Sequence, residues 1–113
     1  MDDCLFCKIL SGEIPSTKVF ENENVFAFKD INPMASEHYL FIHREHTKNV
    51  NDMSSQPEQL AQIFQAISLF TKGNSLEENG FRIVTNVNRN GGQTVFHTHF
   101  HVLGGEPLKG FGS

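Results

Sequence analysis

Alternating apolar positions predict three strands in the first half of the chain. The segments TKVFE (17–21) and VFAFK (25–29) are rich in β-branched and aromatic residues, and phenylalanine occupies alternate positions in the second segment. Because the residues between them, 22–24, are polar, these two strands are predicted to form a hairpin. The continuous apolar run HYLFI (38–42) predicts a third strand that is buried on both faces.

The middle of the chain carries a helical pattern instead. Apolar residues recur there at spacings of three and four positions, and these residues are Leu60, Ile63, Phe64 and Ile67. This spacing predicts one main helix from about Gln56 to Lys72, ended by Gly73. Ser55 and Glu58 have the spacing of a capping box at its start.

Three further elements complete the predicted fold. Residues 4–11, CLFCKILS, predict a short N-terminal helix that ends near Gly12. FRIVTNV (81–87) predicts a fourth strand, and the glycine-rich turn NRNGGQT (88–94) leads into a fifth strand over 95–103.

Strands joined by short turns pair antiparallel, and one long helix can cover a face of the resulting sheet. The predicted fold class is therefore α+β, with a five-stranded antiparallel sheet, one main helix and a short N-terminal helix. The 113 residues have room for a single domain, 1–113, and eleven phenylalanines supply bulk for its core. The tail, 105–113, is expected to be flexible.

Charge and hydropathy narrow the classes of partner. Nine Lys and Arg residues against thirteen Asp and Glu give a net charge of −4, which lacks the basic footprint expected for binding polymeric nucleic acid. No apolar run is long enough to cross a membrane, and the acidic start lacks the features of a signal peptide. We therefore expect a cytoplasmic protein, without a membrane partner, that handles small molecules.

The stretch FHTHFHVLGG (96–105) holds half of the six histidines. In a strand, His97, His99 and His101 share one face, with neighbours about 6.6 Å apart and the outer pair about 13 Å apart. Two neighbours can therefore bind one zinc ion, but three in a row cannot. Three interpretations follow: a polar face in water, a metallohydrolase built on two of the histidines, or a histidine that itself attacks a substrate.

We favour the attacking histidine, because an imidazole with a pKa near 6.5 is largely neutral and nucleophilic at pH 7. Phosphorus is its natural electrophile. Just upstream, Gly91 and Gly92 would let backbone N–H groups approach phosphate oxygens and form an anion-binding nest. A plain hairpin turn is the alternative interpretation of these glycines.

The two cysteines form a Cys-x-x-Cys pair, Cys4 and Cys7. In a reducing compartment such a pair binds a metal or carries out redox chemistry more often than it forms a structural disulfide. A redox pair usually follows a strand in a βαβ pattern, which this chain lacks. His43, His46 and His97 are candidates to complete a tetrahedral metal site. The alternative is two buried cysteines, with His97 hydrogen-bonded inside the sheet.

Residues 97–103, HTHFHVL, resemble the histidine triad motif of nucleotide hydrolases and transferases, in which histidines alternate with apolar residues. The resemblance extends over LFCKILSGEIPS, FKDINPMASEHYLFI and NVNRNGGQTVFHTHFHVLGG. The closing Leu-Gly-Gly is most similar to the Hint branch, the purine nucleoside phosphoramidases, rather than to the diadenosine polyphosphate hydrolases. Thr98 departs from the motif, and Thr94 stands where this branch commonly has serine.

The resemblance implies roles for individual residues. His99 would be the nucleophile, forming a covalent nucleotidyl-histidine that water cleaves, and His38 would lie beside it and orient the phosphate. The implied α-phosphate contacts are His101, Asn86, Gly92 and Thr94. Gln93 and Thr94 would meet the leaving amine, and Asp30 would bind both ribose hydroxyls. The implied purine wall consists of Leu5, Phe6, Ile9, Phe28 and Ile31.

The resemblance also implies a structural zinc ion, a homodimer and no cofactor for catalysis. Some family members bind zinc through positions that correspond here to Cys4, Cys7, His46 and His97, and four ligands leave no place for a substrate. His43 stands where relatives usually have proline and is expected to be an exposed loop residue. Family homodimers join two sheets edge to edge, which hides open edges.

The leading hypothesis is a phosphoramidase that splits the P–N bond of purine nucleoside 5′-phosphoramidates, such as AMP-amines and aminoacyl-AMP. A purine nucleotide-binding or scaffolding module with incidental turnover is the second hypothesis. A zinc-dependent hydrolase that uses His99 and His101 is the third.

Overall fold

The structure, a computed structural model that describes residues 3–110, contains a single antiparallel sheet in the order β1-β2-β3-β5-β4. Its strands are β1 (Lys18–Glu21), β2 (Val25–Lys29), β3 (Glu37–His43), β4 (Phe81–Val84) and β5 (His99–Gly104). The helices are α1 (Leu5–Leu10), α2 (Val50–Met53), α3 (Pro57–Gly73) and α4 (Leu76–Asn79). The predicted α+β class, the five strands, the main helix and the short N-terminal helix are confirmed. Helices α2 and α4 were not predicted.

Each face of the sheet packs into its own apolar cluster. One face packs against α3 around Phe41 and Phe100, together with Val25, Ala27, Tyr39, Met53, Ile63, Ala66, Ile67, Leu76 and Val102. The opposite face packs against α1 in a smaller cluster made of Phe6, Ile9, Phe26, Phe28, Leu40 and Ile42. The third strand is therefore buried on both faces, as its apolar run predicts.

Side chains close the turns that hold the sheet together. In the first hairpin, the Asn22 side-chain oxygen accepts hydrogen bonds from the backbone N–H groups of Asn24 and Val25, both at 2.8 Å. At α1, the Cys4 sulfur accepts a hydrogen bond from the Cys7 N–H at 3.4 Å, so that the first cysteine caps the helix. The Cys-x-x-Cys motif therefore begins the helix that covers the second face of the sheet.

The capping box predicted for the main helix is wrong. Helix α3 has Gln56 as its N-cap residue without a side-chain hydrogen bond, and Pro57 occupies its first turn. The Ser55 hydroxyl instead donates to the carbonyl of Asp52 at 3.0 Å. Because helix α2 ends just before, Ser55 turns back to that helix rather than forward to α3.

The last two strands are shorter than predicted. Strand β5 begins at His99 rather than at residue 95, because β3 ends opposite this point and the Thr98 N–H donates instead to the carbonyl of Thr47 at 2.8 Å. Strand β4 ends at Val84 rather than at residue 87, since the Thr85 hydroxyl bonds the carbonyl of His99 at 2.8 Å.

The start of the predicted flexible tail contacts the domain. The Arg82 guanidinium donates to the carbonyl of Lys109 at 3.1 Å, and the carboxylate of Glu106 accepts a hydrogen bond from the Ser36 N–H. Residues 111–113 of that prediction lie outside the described residues. Among residues 3–110, no helix has the length and apolarity that crossing a membrane requires.

Replacing Phe41 by alanine should lower the free energy of unfolding by about 3–5 kcal/mol, because a fully buried aromatic ring leaves a cavity when it is removed. Its ring packs against those of Phe20 and Phe70. Urea denaturation measures the loss. The matched control is Leu69→Ala on the exposed side of α3, which should change stability by less than about 0.5 kcal/mol. Equal losses in the two variants would contradict this assignment of the core.

Candidate active site

His99 is held by the backbone in one tautomer. Its Nδ1 lies 2.8 Å from the carbonyl oxygen of His97, and a carbonyl can only accept a hydrogen bond. Nδ1 therefore carries the proton, and Nε2 keeps a free lone pair. The side chain is 6% exposed, so this lone pair meets a reactant only through a cavity that reaches the ring. The arrangement suits a nucleophile.

A directed chain of hydrogen bonds leads to His101. The Met34 N–H donates to Nδ1 of His38 at 3.1 Å, so a neutral His38 carries its proton on Nε2. That Nε2 lies 2.9 Å from Nδ1 of His101 and 3.5 Å from the Asp30 carboxylate. When His101 accepts this proton at Nδ1, its own proton is on Nε2. His101 then presents a hydrogen-bond donor beside His99, whose ring centre is 5.1 Å away.

Burial keeps these imidazoles neutral. Removal from water, together with the neighbouring rings of His99 and His38, lowers the pKa of His101 to about 4, against the opposing effect of Asp30. Burial also lowers the pKa of His99, opposed by its hydrogen bond to the His97 carbonyl. The pKa of His38 is lowered by burial, against the opposing effect of Asp30. The site therefore holds neutral rings at physiological pH.

An apolar cavity of about 410 Å³ opens in front of His99 and His101. It brings together all of the predicted purine wall and ribose residues, namely Leu5, Phe6, Ile9, Phe28, Asp30 and Ile31. Ile31 stands at the rim, since it is 90% exposed. The Asp30 carboxylate accepts a hydrogen bond from the Asn32 N–H at 2.8 Å, which fixes one oxygen at the cavity wall.

The predicted phosphate residues line a second cavity, of about 380 Å³, which shares His99 and His101 with the first. Its lining includes Asn86, Gly92, Thr94, His99 and His101, and also His38. Arg82 lines this cavity too, a residue that the sequence did not single out. Its place on β4, where it pairs with Leu103 of β5, carries no motif that would have revealed it.

The glycine-rich turn is built for close backbone approach. A Cβ atom on Gly91 would lie 2.5 Å from the carbonyl oxygen of Val87, and Gly92 has a φ of +80°. The Asn86 amide donates to the carbonyl of Gly91 at 2.7 Å. Gln93 uses its amide inside the turn, accepting from the Asn88 N–H and donating to the carbonyls at 48 and 95. Gln93 therefore braces the turn, and it lines neither of the two cavities.

Thr94 borders three cavities. It lines the apolar cavity of about 410 Å³, called the nucleoside-sized cavity below, and the cavity of about 380 Å³ that contains the predicted phosphate residues, called the phosphate-side cavity. It also lines a third cavity, of about 710 Å³, together with Cys4, His46 and Phe96. The residue predicted to meet a leaving group therefore borders all three spaces.

His97 does not belong to the strand face on which its spacing placed it. It precedes β5, is 1% exposed, and its Nε2 lies 3.2 Å from the carbonyl of His43, which leaves Nδ1 without the proton. That Nδ1 is 3.4 Å from the Cys4 sulfur, 3.6 Å from the Cys7 sulfur and 3.0 Å from Nδ1 of His46. Cys7 and His46 are 3.3 Å apart. The histidine row thus divides between two sites.

These four residues, called the tetrad below, have the donor set and spacing of a metal site, with all ligand atoms within 4.8 Å of one another. Tetrahedral zinc bonds would separate two nitrogens by about 3.3 Å and a sulfur and a nitrogen by about 3.6 Å, close to the distances observed. Burial, followed by a hydrogen bond with Cys4, raises the pKa of Cys7 to about 11. A metal ion must therefore displace a thiol proton when it binds.

His43 is a correction to the sequence analysis. It was expected to be exposed, but it is buried as the last residue of β3, and its Nε2 bonds the Gln62 side chain at 2.7 Å. Its Nδ1 accepts a hydrogen bond from the Glu45 N–H at 3.0 Å. Both ring nitrogens are therefore used in the fold, and only its backbone carbonyl touches the tetrad, through His97.

A buried hydroxyl pair supports the segment that precedes His99. The side-chain oxygens of Thr47 and Thr98 are 2.6 Å apart, which gives Thr98 a polar partner at a position where the triad motif has an apolar residue. The departure from the motif is thus compensated within the fold. Thr47 had no recognisable signal in the sequence, because its role depends on a contact 51 positions away.

Alternating histidines, His97, His99 and His101, of which the second is buried and oriented by a backbone carbonyl, are the arrangement of a histidine triad protein. The HIT domain matches residues 11–108. The chain therefore belongs to the HIT family. Purine nucleoside phosphoramidase of Escherichia coli K12 is 40% identical over 108 residues, which cover 95% of this chain and 91% of that protein.

Solved structures agree with this assignment. A HIT family hydrolase from Clostridium thermocellum has a TM-score of 0.92 and 41% identity, covering 97% of this chain and 96% of that one. A histidine triad protein from Clostridium difficile has a TM-score of 0.94 and 38% identity, covering 98% and 97%. The HIT-like fold and the Hint-like resemblance are confirmed.

The free energy of unfolding should fall as the pH is lowered from about 7 to about 4. In this range the unfolded chain protonates His101 near its ordinary pKa of 6.5, while the folded chain does so only near 4, so acid favours unfolding. Urea denaturation at several pH values measures the decline. His101→Gln should make the decline shallower, and an unchanged slope in that variant would contradict the assignment.

Proposed function

We propose that the chain is a hydrolase that cleaves the P–N bond of purine nucleoside 5′-phosphoramidates such as AMP-amines, and the corresponding P–O bond in aminoacyl-AMP, where a carboxylate is the leaving group. The observation that carries this proposal is the buried His99, with Nδ1 bound to a carbonyl and Nε2 free, between an apolar cavity and a glycine-rich turn. The E. coli relative named purine nucleoside phosphoramidase supports the same reaction.

In the proposed mechanism, Nε2 of His99 attacks the α-phosphorus and the P–N bond breaks. The amine leaves with the bonding electron pair and takes up a proton, and the nucleotide becomes bound to His99. Water then attacks the same phosphorus and loses a proton to solvent, while the P–Nε2 bond breaks. This releases the nucleoside monophosphate and restores His99. The His97 carbonyl stabilises the positive charge that forms on the His99 ring, because Nδ1–H already donates to it.

His101 and the turn would hold the phosphoryl group. The proton on Nε2 of His101 can donate to a non-bridging oxygen, and the Met34–His38–His101 chain keeps it on that nitrogen. The backbone of Gly92 and the side chain of Asn86 lie on the same cavity. Thr94 borders both cavities beside His99, and its side chain would meet the leaving amine there.

Purine specificity would come from shape more than from hydrogen bonds. In the nucleoside-sized cavity, the part of the lining formed by Leu5, Ile9 and Phe28 is apolar, which suits a flat base. Asp30 would bind the ribose hydroxyls with its two carboxylate oxygens.

We further propose that the tetrad holds one structural zinc ion, and that the chain acts in the cytoplasm as a homodimer without a catalytic cofactor. The two thiols and two imidazoles suit zinc, and four protein ligands close its coordination shell. Bound zinc would link Cys4 and Cys7, at the start of α1, to His97 in the segment before β5. The open sheet edge at β4 is a surface on which a second copy could add its own strand.

The two alternatives are less well supported by the geometry. A zinc-dependent hydrolase needs His99 as a ligand, but within residues 3–110 the groups with metal spacing are the tetrad and the set Asp30, His38 and His101, and neither includes His99. A binding or scaffolding module would not need the free Nε2 that the His97 carbonyl preserves. It remains an outcome of the first test below.

Protein quenched during turnover of an AMP-amine should carry one adenylyl group on His99, detected by mass spectrometry of its peptides. His99→Ala should show no adduct and lose at least about 10³-fold in kcat, since the attacking nitrogen is gone. His43→Gln is the matched control, since this histidine is buried but outside the cavities. An adduct on another residue, or undiminished turnover by His99→Ala, would overturn the mechanism. An original protein that binds the AMP-amine without turning it over would overturn the enzyme assignment and favour the binding module.

The role of Asp30 is tested by comparing two proteins, the original and Asp30→Ala, on two substrates, one with and one without the ribose 2′-hydroxyl. Removing the 2′-hydroxyl from the substrate should lower kcat/KM of the original protein by about 10- to 100-fold, the range for hydrogen bonds to a charged group. In Asp30→Ala the same change of substrate should have little effect, because the partner of that hydroxyl is gone. A full loss in both proteins would show that Asp30 does not contact the ribose.

A further inference from the structure

His97 faces two sites at once. Its ring nitrogen Nδ1 points into the tetrad, where the sulfur of Cys4 is 3.4 Å away. Its backbone carbonyl, 2.8 Å from Nδ1 of His99, sets the tautomer of the proposed nucleophile. The ring is further held by the carbonyl of His43 at 3.2 Å and is 1% exposed. A movement of this residue therefore reaches the nucleophile directly.

A second connection runs through the Cys-x-x-Cys motif itself. Phe6 lies between Cys4 and Cys7, and its ring makes an edge contact with His99, with centres 5.0 Å apart and planes at 89°. The same ring contacts His97 at 5.8 Å. The two cysteines thus fix the turn of helix that carries the ring packed on the nucleophile.

Helix α1 is too short to be stable by itself. It has six residues, well below the length at which an isolated helix forms in water. It is held on the sheet by the buried Phe6 and Ile9 and by the contacts of Cys4 and Cys7 with the tetrad histidines. The same helix supplies Leu5, Phe6 and Ile9 to the nucleoside-sized cavity.

We propose that His97 is a positioning residue through which the tetrad controls the active site, so that zinc in the tetrad fixes α1 and the His97 carbonyl, and thereby both the purine wall and the orientation of His99. This inference builds on the zinc site and the nucleotide site proposed above. The zinc ion takes no part in the reaction, and its effect passes through residues of this chain.

Zinc is expected to have this effect because the tetrad side chains make fewer and weaker bonds to one another without the ion. The Nδ1 atoms of His46 and His97 lie 3.0 Å apart, and His97 presents an unprotonated nitrogen there. Bonds to one ion satisfy both rings and both sulfurs together. Without it, one hydrogen bond between the rings of His46 and His97 and weak thiol hydrogen bonds remain. These bonds hold α1 and the His97 ring less firmly than four bonds to one ion, so both gain freedom to move.

The experiment compares zinc-loaded protein, protein made metal-free by chelation, and the Cys7→Ser variant. Metal content is measured by mass spectrometry, and AMP binding by calorimetry. Long-range ¹⁵N NMR spectra report the protonated nitrogen of His99, and amide hydrogen exchange reports the stability of α1. Lys8→Gln, on the same helix but outside the tetrad, is the matched control.

We expect one zinc ion per chain, and AMP binding about tenfold weaker without it, the effect of losing about one buried apolar side chain from the cavity. The metal-free protein should exchange the α1 amides faster, and the His99 ring signals should broaden or report mixed tautomers. Restoring zinc should reverse all three changes in the chelated protein, which covers the case in which Cys7→Ser fails to fold. Lys8→Gln should behave like the original protein.

Unchanged AMP binding, hydrogen exchange and His99 spectra after loss of zinc would overturn the inference, as would protein that binds no zinc with both thiols reduced. Failure of the proposed function is distinguishable. Zinc-loaded protein that binds AMP but does not turn over a phosphoramidate would contradict the phosphoramidase assignment, while the coupling of the tetrad to His99 would still be measured by the spectra.

Discussion

The hydrogen bond from Nδ1 of His99 to the carbonyl of His97 is the interaction on which the site depends. It determines which nitrogen is free, and it does so with a backbone group whose position is set by the fold. The chain can present that carbonyl because β5 begins only at His99. In a continued strand, the carbonyl of residue 97 would be available to a neighbouring strand instead.

Burial completes what this hydrogen bond begins. His99 and His38 are 6% and 4% exposed, so that charging either ring costs desolvation energy, and both remain neutral near pH 7. Neutral rings need their remaining protons directed, and the Met34 amide begins a chain that does so. Two backbone groups, the carbonyl of His97 and the N–H of Met34, therefore determine which nitrogen carries the proton in His99, His38 and His101. The sheet holds these histidines in place.

The sequence was informative wherever a side-chain pattern carried the information. Alternation and helical spacing located the sheet and α3, and the period of two located the histidine row, while the family resemblance supplied the cavity residues and the tetrad. It failed where backbone or distant contacts decide. The early start predicted for β5 missed the Thr47–Thr98 contact, the buried His43 is hydrogen-bonded to Gln62, and Ser55 bonds backward to Asp52. No local pattern encodes such contacts.

Because Thr94 borders all three cavities, its side chain is a shared boundary and not a selective one. A change of its size alters the base side, the phosphate side and the space beside the tetrad in a single step. Independent adjustment of substrate preference must therefore use residues that border one of these three spaces and not the others, such as Ile14 on the base side or Arg82 on the phosphate side. The architecture makes some positions separable for engineering and ties others together.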